Sequence, residues 1–370
     1  MEYDFSVYAI ALAKVFAYKC AEGRRIIELV GDPKEVFRMK RSHLEGLLPY
    51  NNDLVGQIQD PATLAWAEEE LEWNVRYGIR PLYYEDKDYP SRLRECYDCP
   101  LVLYSKGLDC LNPKRALAVV GTRRASWYGK SQCVNIVRSL AAIPKPPVIV
   151  SGLAFGIDAA AHTAALEAGL QTIAVIPTGL DSIYPPQHRE LALRIAAQGA
   201  LVTDFPRSTY PQTAHFIRRN RIIAGMSDAT LLAESFAKGG GLITTDLANS
   251  YDREVFAVPG RLSDASSEGC NSLIEKNLAH LARGAHSICR QMGWGEHSPA
   301  ARARQCEIAF PEGSDSRLVI DILKEESPRD FEEIMTISGL PFNSLSALLL
   351  EMEMNGTIIS TQGRKYALKP

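Results

Sequence analysis

The chain has 370 residues, 46% of them hydrophobic, with 41 Lys and Arg set against 44 Asp and Glu for a formal charge of -3. At about 150 residues per domain, that length predicts two or three domains with a sizeable core. A slightly acidic average excludes a surface coated with basic patches, so any polyanion must be met locally. Eight cysteines are scattered, and only Cys96 and Cys99 form a C-x-x-C pair. A zinc site needs a second pair of ligands nearby, which the neighbourhood of Cys110 does not supply, so reduced structural thiols and no metal are expected. Residues 1–19 read as an amphipathic helix rather than a signal peptide. No apolar run approaches the roughly 20 residues that cross a bilayer, so a cytoplasmic protein without membrane contact is expected.

Residues 1–80 read as helical. Val7, Ile10, Ala11, Val15 and Tyr18 follow helical spacing, and Gly23 stops that element before Arg24–Val30 begins another. Short helices with Gly-bearing turns suit a SAM-like or helix-hairpin-helix module, or a plain packing domain. A longer helix is predicted over Pro61–Arg76, and extended chain over Ile79–Tyr84.

From Ala116 the texture changes to short apolar runs, each followed by small residues and a helical segment. The runs are Ala116–Val120, Val148–Val150, Thr172–Ile176, Ala200–Thr203, Thr230–Ala233 and Glu254–Val258. Continuous apolar strands alternating with helices imply a parallel sheet covered on both faces. The fold class is therefore α/β, a doubly wound Rossmann-like domain over residues 81–290. After a linker at 291–313, residues 314–370 have the outline of a winged-helix-like domain with a Thr357–Leu368 hairpin turning near Gly363. Its would-be recognition helix, Phe342–Met354, contains no Lys or Arg, whereas a groove-reading helix needs donors for bases and phosphates. A protein-contact or stabilising role is expected there.

The strongest local signal is Phe205–Ser227, which carries Arg207, His215, Arg218, Arg219 and Arg221, interleaved with Phe205, Tyr210 and Phe216, and contains no Asp or Glu. So much positive charge in one window costs self-repulsion unless an anion lies there. Guanidinium forks suit phosphate, and ring faces suit unstacked bases, which favours a single strand over a duplex. The window follows the fourth strand of the parallel domain, so it opens at the carboxyl edge where α/β sheets bind ligands.

The turn Gly121–Gly129 lacks the spacing of a dinucleotide site, and no acid follows about 20 residues later, which disfavours an NAD enzyme. Arg123 projects a cation from this turn beside helix-start amides. In Ser151–Asp158, Gly152 and Gly156 permit close approach of a ligand backbone, and Ser151 can donate to phosphate oxygen. Asp158 and His162 fall at i, i+4, which fits a local hydrogen bond better than acid–base chemistry. Lys238 precedes Gly239–Gly241, so this is not a Walker A motif and ATP hydrolysis is not expected. Glu234 is expected to bridge to the Arg cluster.

Taken together, these motifs resemble the bacterial DNA-processing protein A (DprA, also called Smf) family. The matching residues are Val120–Arg123, Ser151–Asp158 with Ala161 and His162, Gly179–Asp181 with Tyr184 and Pro185, Phe216 with Arg218–Gly225, Gly241–Thr244, Val258–Gly260 and Gly269–Asn271. The resemblance implies a protein that binds and protects incoming single-stranded DNA without being an enzyme. It further implies no cofactor, a homodimer, and loading of a RecA-type recombinase onto DNA in natural transformation, the competence pathway. By motif, Gly121, Thr122, Arg123, Phe216, Arg218, Arg219, Asn220 and Arg221 would contact DNA, with Ser151, Gly152, Gly156, Gly240 and Gly241 shaping the pocket. Three positions depart from the family's pattern: Phe155 replaces a usual base, Ile217 a Pro, and Asp252 a Gly. The rival reading is a nucleotide phosphoribohydrolase, but Gly239–Asp246 lacks that family's Gly-Gly-x-Gly-Thr turn and its catalytic Glu.

Overall fold

The structure is a computed structural model that describes residues 2–295, 314–325, 327–355, 357–361 and 365–368. The chain divides into two compact units, 1–296 and 297–370.

The first unit begins with helices α1 (Glu2–Val15), α2 (Cys20–Val30), α3 (Pro33–Arg38), α4 (Arg41–Leu47), α5 (Asn52–Gln59) and α6 (Pro61–Arg76). The starts of α3 and α6 are written locally. Asp32 and Asp60 each accept from a backbone amide of the first turn, and each is followed by a Pro whose missing N–H costs nothing there. These helices do not enclose a core of their own, because Phe16, Ile26 and Leu44 share one apolar cluster with Leu103, Val120 and Val202 of the sheet.

The sheet region follows as β1 (Arg80–Tyr83), α7 (Ser91–Arg94), β2 (Val102–Gly107), β3 (Ala116–Val120), α8 (Trp127–Ala141), β4 (Val148–Ser151), α9 (Ile157–Glu167), β5 (Thr172–Val175) and α10 (Arg189–Gln198). It continues with β6 (Ala200–Thr203), α11 (Thr213–Gly225), β7 (Ala229–Leu232), α12 (Gly240–Ser250), β8 (Glu254–Ala257), α13 (Glu268–Glu275), β9 (His280–Leu281) and α14 (Ala285–Gln291). Among the described residues these strands form one nine-stranded sheet in the order β1-β2-β6-β5-β4-β3-β7-β8-β9. From β6 to β9 all pairs are parallel. Strands β3 to β8 fall within a residue or two of the apolar runs, since each is buried on both faces. β1 and β2 add an antiparallel edge against β6. The β2 run lies outside the alternation of strand and helix, so the α/β rhythm gave no warning of it. The strand order reverses between β3 and β7, and the turns after these strands flank a crevice at the carboxyl edge.

In the second unit, α15 (Asp315–Glu325), β10 (Arg329–Asp330), α16 (Phe331–Ser338), α17 (Phe342–Met354), β11 (Ile358–Thr361) and β12 (Lys365–Leu368) have the helix and strand order of a winged helix. Asp330 and Glu333 form a reciprocal capping box at the start of α16, and Gly339 ends that helix in the left-handed region. Val319, Leu323, Ile334, Leu345 and Leu349 form its core. The linker expected at 291–313 lies outside the described residues from 296 onward, as does the hairpin turn at Gly363. Among the described residues, no single helix is long and apolar enough to cross a membrane.

Candidate nucleic-acid interface

The turn after β3 is built from within the crevice. The Thr122 amide donates to the Glu234 carbonyl at 2.9 Å, and the Thr122 carbonyl accepts from the Ile157 amide at 3.3 Å. Ser126 caps α8 by accepting from the Gly129 amide at 3.1 Å. Its own amide and hydroxyl donate to the Glu234 carboxylate at 2.7 and 2.6 Å. Glu234 therefore anchors the first turn instead of bridging to the Arg cluster. With this scaffold fixed, Arg123 and Arg124 stay exposed, and the Arg123 guanidinium lies 4.6 Å from the Phe216 ring centroid. Gly241 packs against Gly121, where an added Cβ would lie 3.3 Å from the Gly121 Cα, while Gly240 beside it faces open space.

The second turn is held from below. The buried Asp158 accepts from the amides of Gly152 and Ala154 at 3.2 and 3.4 Å. Gly156, at φ 79, could not carry a side chain, since a Cβ would lie 2.3 Å from the Thr122 carbonyl oxygen. Beneath Gly152 sits Arg219, whose Nη1 donates to the Val175 carbonyl at 2.7 Å. Burial lowers its pKa to about 10 despite the favourable Asp158 charge, so it remains a cation near neutral pH. Burial raises the Asp158 carboxyl, and Arg219 opposes that rise. The Ser151 hydroxyl donates to the Val119 carbonyl at 2.6 Å and is fully buried. It is spent inside the sheet and not offered at the rim.

Asp158 and His162 do not bond each other as their spacing suggests. His162 Nδ1 is 2.8 Å from the Thr172 hydroxyl, which itself donates to the Ile149 carbonyl, so Nδ1 carries the proton. Burial drives the His162 pKa down to about 3 from 6.5. The unfolded chain therefore binds the extra proton first, and stability drains as pH falls through that window by up to about 1.4 kcal/mol per pH unit. Urea midpoints measured from pH 7 to pH 4 will show a shallower acid slope for His162→Asn than for the wild type.

The acid-free window is not one cationic face, which corrects the expectation that its arginines lie open together. Arg218 and Arg221 both pair with Asp204, at 2.9 and 2.7 Å, and Arg221 also donates to the Asp98 carbonyl. Arg207 pairs with Glu69 and with the buried Glu70 of α6, each at 3.2 Å. Arg219 faces Asp158. Each neutralising acid comes from outside the window, Asp204 from the position just before it. Asn220 is half-buried on α11.

Cations exposed at the rim include Arg123, Arg124 and Lys238, beside a row of rings. Phe155 is 44% exposed and meets His188 edge-on at 4.8 Å; Tyr184 meets Phe216 edge-on at 5.5 Å. Trp127, at the start of α8, is 83% exposed. Arg124, Trp127 and Tyr184 were not anticipated as site residues. The available signal was an aromatic or a second base flanking a Gly-bounded turn.

Residues 80–293 match the family described as DNA recombination-mediator protein A. The chain belongs to that family. Residues 303–364 match its winged-helix domain. Protein Smf of Synechocystis sp. is 33% identical over 345 residues, covering 85% of each chain. The X-ray structure of DNA processing protein A from Streptococcus pneumoniae is 32% identical with a TM-score of 0.58, covering 69% of this chain and 92% of that one. The Helicobacter pylori DNA processing protein A, solved for its single-stranded DNA binding mode, is 29% identical with a TM-score of 0.52, covering 58% and 95%. In this member of the DNA recombination-mediator family, the matched region runs from β1 to beyond α14 and contains both turns of the rim.

Proposed function

We propose that this protein binds single-stranded DNA at the carboxyl edge of its sheet without cleaving it, and loads a RecA-type recombinase onto that strand during natural transformation. It does so as a homodimer in the cytoplasm. The observation that carries this reading is the exposed Arg123 guanidinium stacked on Phe216 at the strand-order reversal. A cation beside exposed rings holds phosphate and base together, and stacking tolerates any sequence. The Helicobacter pylori relative binds single-stranded DNA, which supports the same class of ligand here. Binding is favoured over cleavage because the two carboxylates that meet the turns after β3 and β4 are engaged, Glu234 by Ser126 and Asp158 by two backbone amides. Neither is free to act as a general base.

The phosphates are assigned to Arg123 and Arg124, and the bases to Phe216, Tyr184 and Phe155. Arg219 supports the Gly152 turn from beneath, and Arg218 and Arg221 hold α11 to Asp204. Fluorescence anisotropy of labelled single- and double-stranded oligonucleotides at two salt concentrations tests this. Arg123→Ala will weaken single-strand binding and reduce the slope of log K against log salt by about 0.7. Phe216→Ala will cost about 1–3 kcal/mol of binding with the slope unchanged. Wild-type affinity in both variants, tighter binding to duplex, or release of free base from a nucleotide panel would each overturn the reading.

A further inference from the structure

A cavity of about 260 Å³ lies between α1, α6, the turn after β6 and one face of α11. His215 and Arg218, one helical turn apart, face it, whereas Phe216 and Arg219 on the adjoining face serve the rim. Its walls are the rings of Tyr18, Trp66, Tyr104 and Phe205. Two cations stand on those rings: Lys14 Nζ lies 4.1 Å from the Trp66 centroid, and the Arg218 guanidinium sits 4.6 and 4.9 Å from Tyr18 and Phe205. The His215 ring lies 4.4 Å from Phe205, and its Nε2 is 3.3 Å from the Tyr18 hydroxyl. Two buried polar atoms of the lining residues, His215 Nδ1 and Asp204 Oδ1, have no hydrogen-bond partner among the described residues.

We propose that this cavity is a second ligand site that takes a single nucleotide, its base between the rings and its phosphate at Lys14 and Arg218. The volume falls below the roughly 300–1,000 Å³ of drug-sized sites, which limits the occupant to one small ring system. Aromatic walls favour a flat π-face. The exposed Lys14 complements a phosphate, beside an Arg218 whose charge is shared with Asp204. The nucleotide is either free in solution or the terminal residue of a bound strand. α11 joins the cavity to the rim, so occupancy bears on strand binding; that consequence alone rests on the function proposed above.

The test is isothermal titration calorimetry on the full chain with each of the four deoxynucleoside monophosphates, with deoxyribose 5-phosphate as the phosphate-only control. At least one mononucleotide will bind tenfold or more tightly than the control. Ala17→Phe, which fills the cavity from a half-buried position, and Lys14→Ala, at an exposed one, will each lose that affinity by tenfold or more. Arg123→Ala will keep it. In a second arm, a 5′-phosphorylated linear oligonucleotide is compared with a circular one of equal length. Tighter binding of the linear form, abolished by Ala17→Phe, assigns the cavity to a strand end; equal binding with mononucleotide heat assigns it to free nucleotide. No heat from any mononucleotide together with equal linear and circular affinity overturns the proposal, as does unchanged binding in Lys14→Ala and in folded Ala17→Phe. If oligonucleotide binding that depends on Arg123 survives such a failure, the second site falls and the rim stands.

Discussion

Asp204→Ala will lower the stability of the first unit by about 3–5 kcal/mol, the usual cost of stripping one partner from a buried ion pair. The Asp204 side chain is 1% exposed and meets two guanidiniums at once, with Arg218 and Arg221 13% and 9% exposed. Burial works to neutralise Arg221, but the carboxylate beside it more than offsets that and holds it charged. Without Asp204, two cations are left facing each other in a poorly solvated layer. All four tryptophans lie at positions 66, 73, 127 and 294, inside the first unit, so selectively excited tryptophan fluorescence in a urea titration reports that unit alone. Asp204→Asn keeps an acceptor without the charge and will fall between the wild type and Asp204→Ala. A loss below about 1 kcal/mol for Asp204→Ala would place this network among the weakly coupled surface pairs.

Gly152→Ala will disable strand binding by a route that touches no phosphate contact. Its added Cβ would lie 1.6 Å from Arg219 Nη1, and Arg219 is fully enclosed, bonded to the Val175 carbonyl and facing Asp158. Either the guanidinium or the turn must move. Overpacking of this kind costs about 1–3 kcal/mol. Moving the turn also displaces the rim at Phe155, so oligonucleotide affinity will drop more than tenfold while the salt slope of the residual binding stays that of the wild type. Gly240→Ala is the control for stability, since a Cβ added at Gly240 would meet nothing within 4 Å; its urea midpoint will stay near wild type. Equal stability and affinity in Gly152→Ala would mean that Arg219 does not buttress the turn.

Both predictions locate the arginines of α11 in the architecture of the rim more than in its contact surface. Positive charge at the carboxyl edge can reach a ligand directly or through the loop it supports. In the function proposed above, Arg123, in the turn after β3, takes the first route and Arg219 the second. Salt dependence separates the two, because only an exposed cation that neutralises a phosphate releases counterions.

Much of this was legible in the chain itself. Apolar runs such as Ala116–Val120 and Ala200–Thr203 became strands with the same bounds, because short runs of consecutive, mostly apolar positions suit a strand covered on both faces. The helix predicted over Pro61–Arg76 has the bounds of α6, whose start Asp60 caps by a bond confined to its first turn. The Gly-bounded turns, the absence of a dinucleotide fingerprint and the family motifs likewise depend on neighbours a few residues apart. Which cations stay open was decided by tertiary structure alone. Asp204, Glu70 and Asp158 reach the window from the end of β6, from α6 and from α9, and an acid-free stretch of sequence says nothing of carboxylates brought to it through space. Burial and charge pairing are properties of the assembled layers, so the same run of basic residues that reads as one phosphate cradle divides, once folded, into buttress, latch and cavity wall.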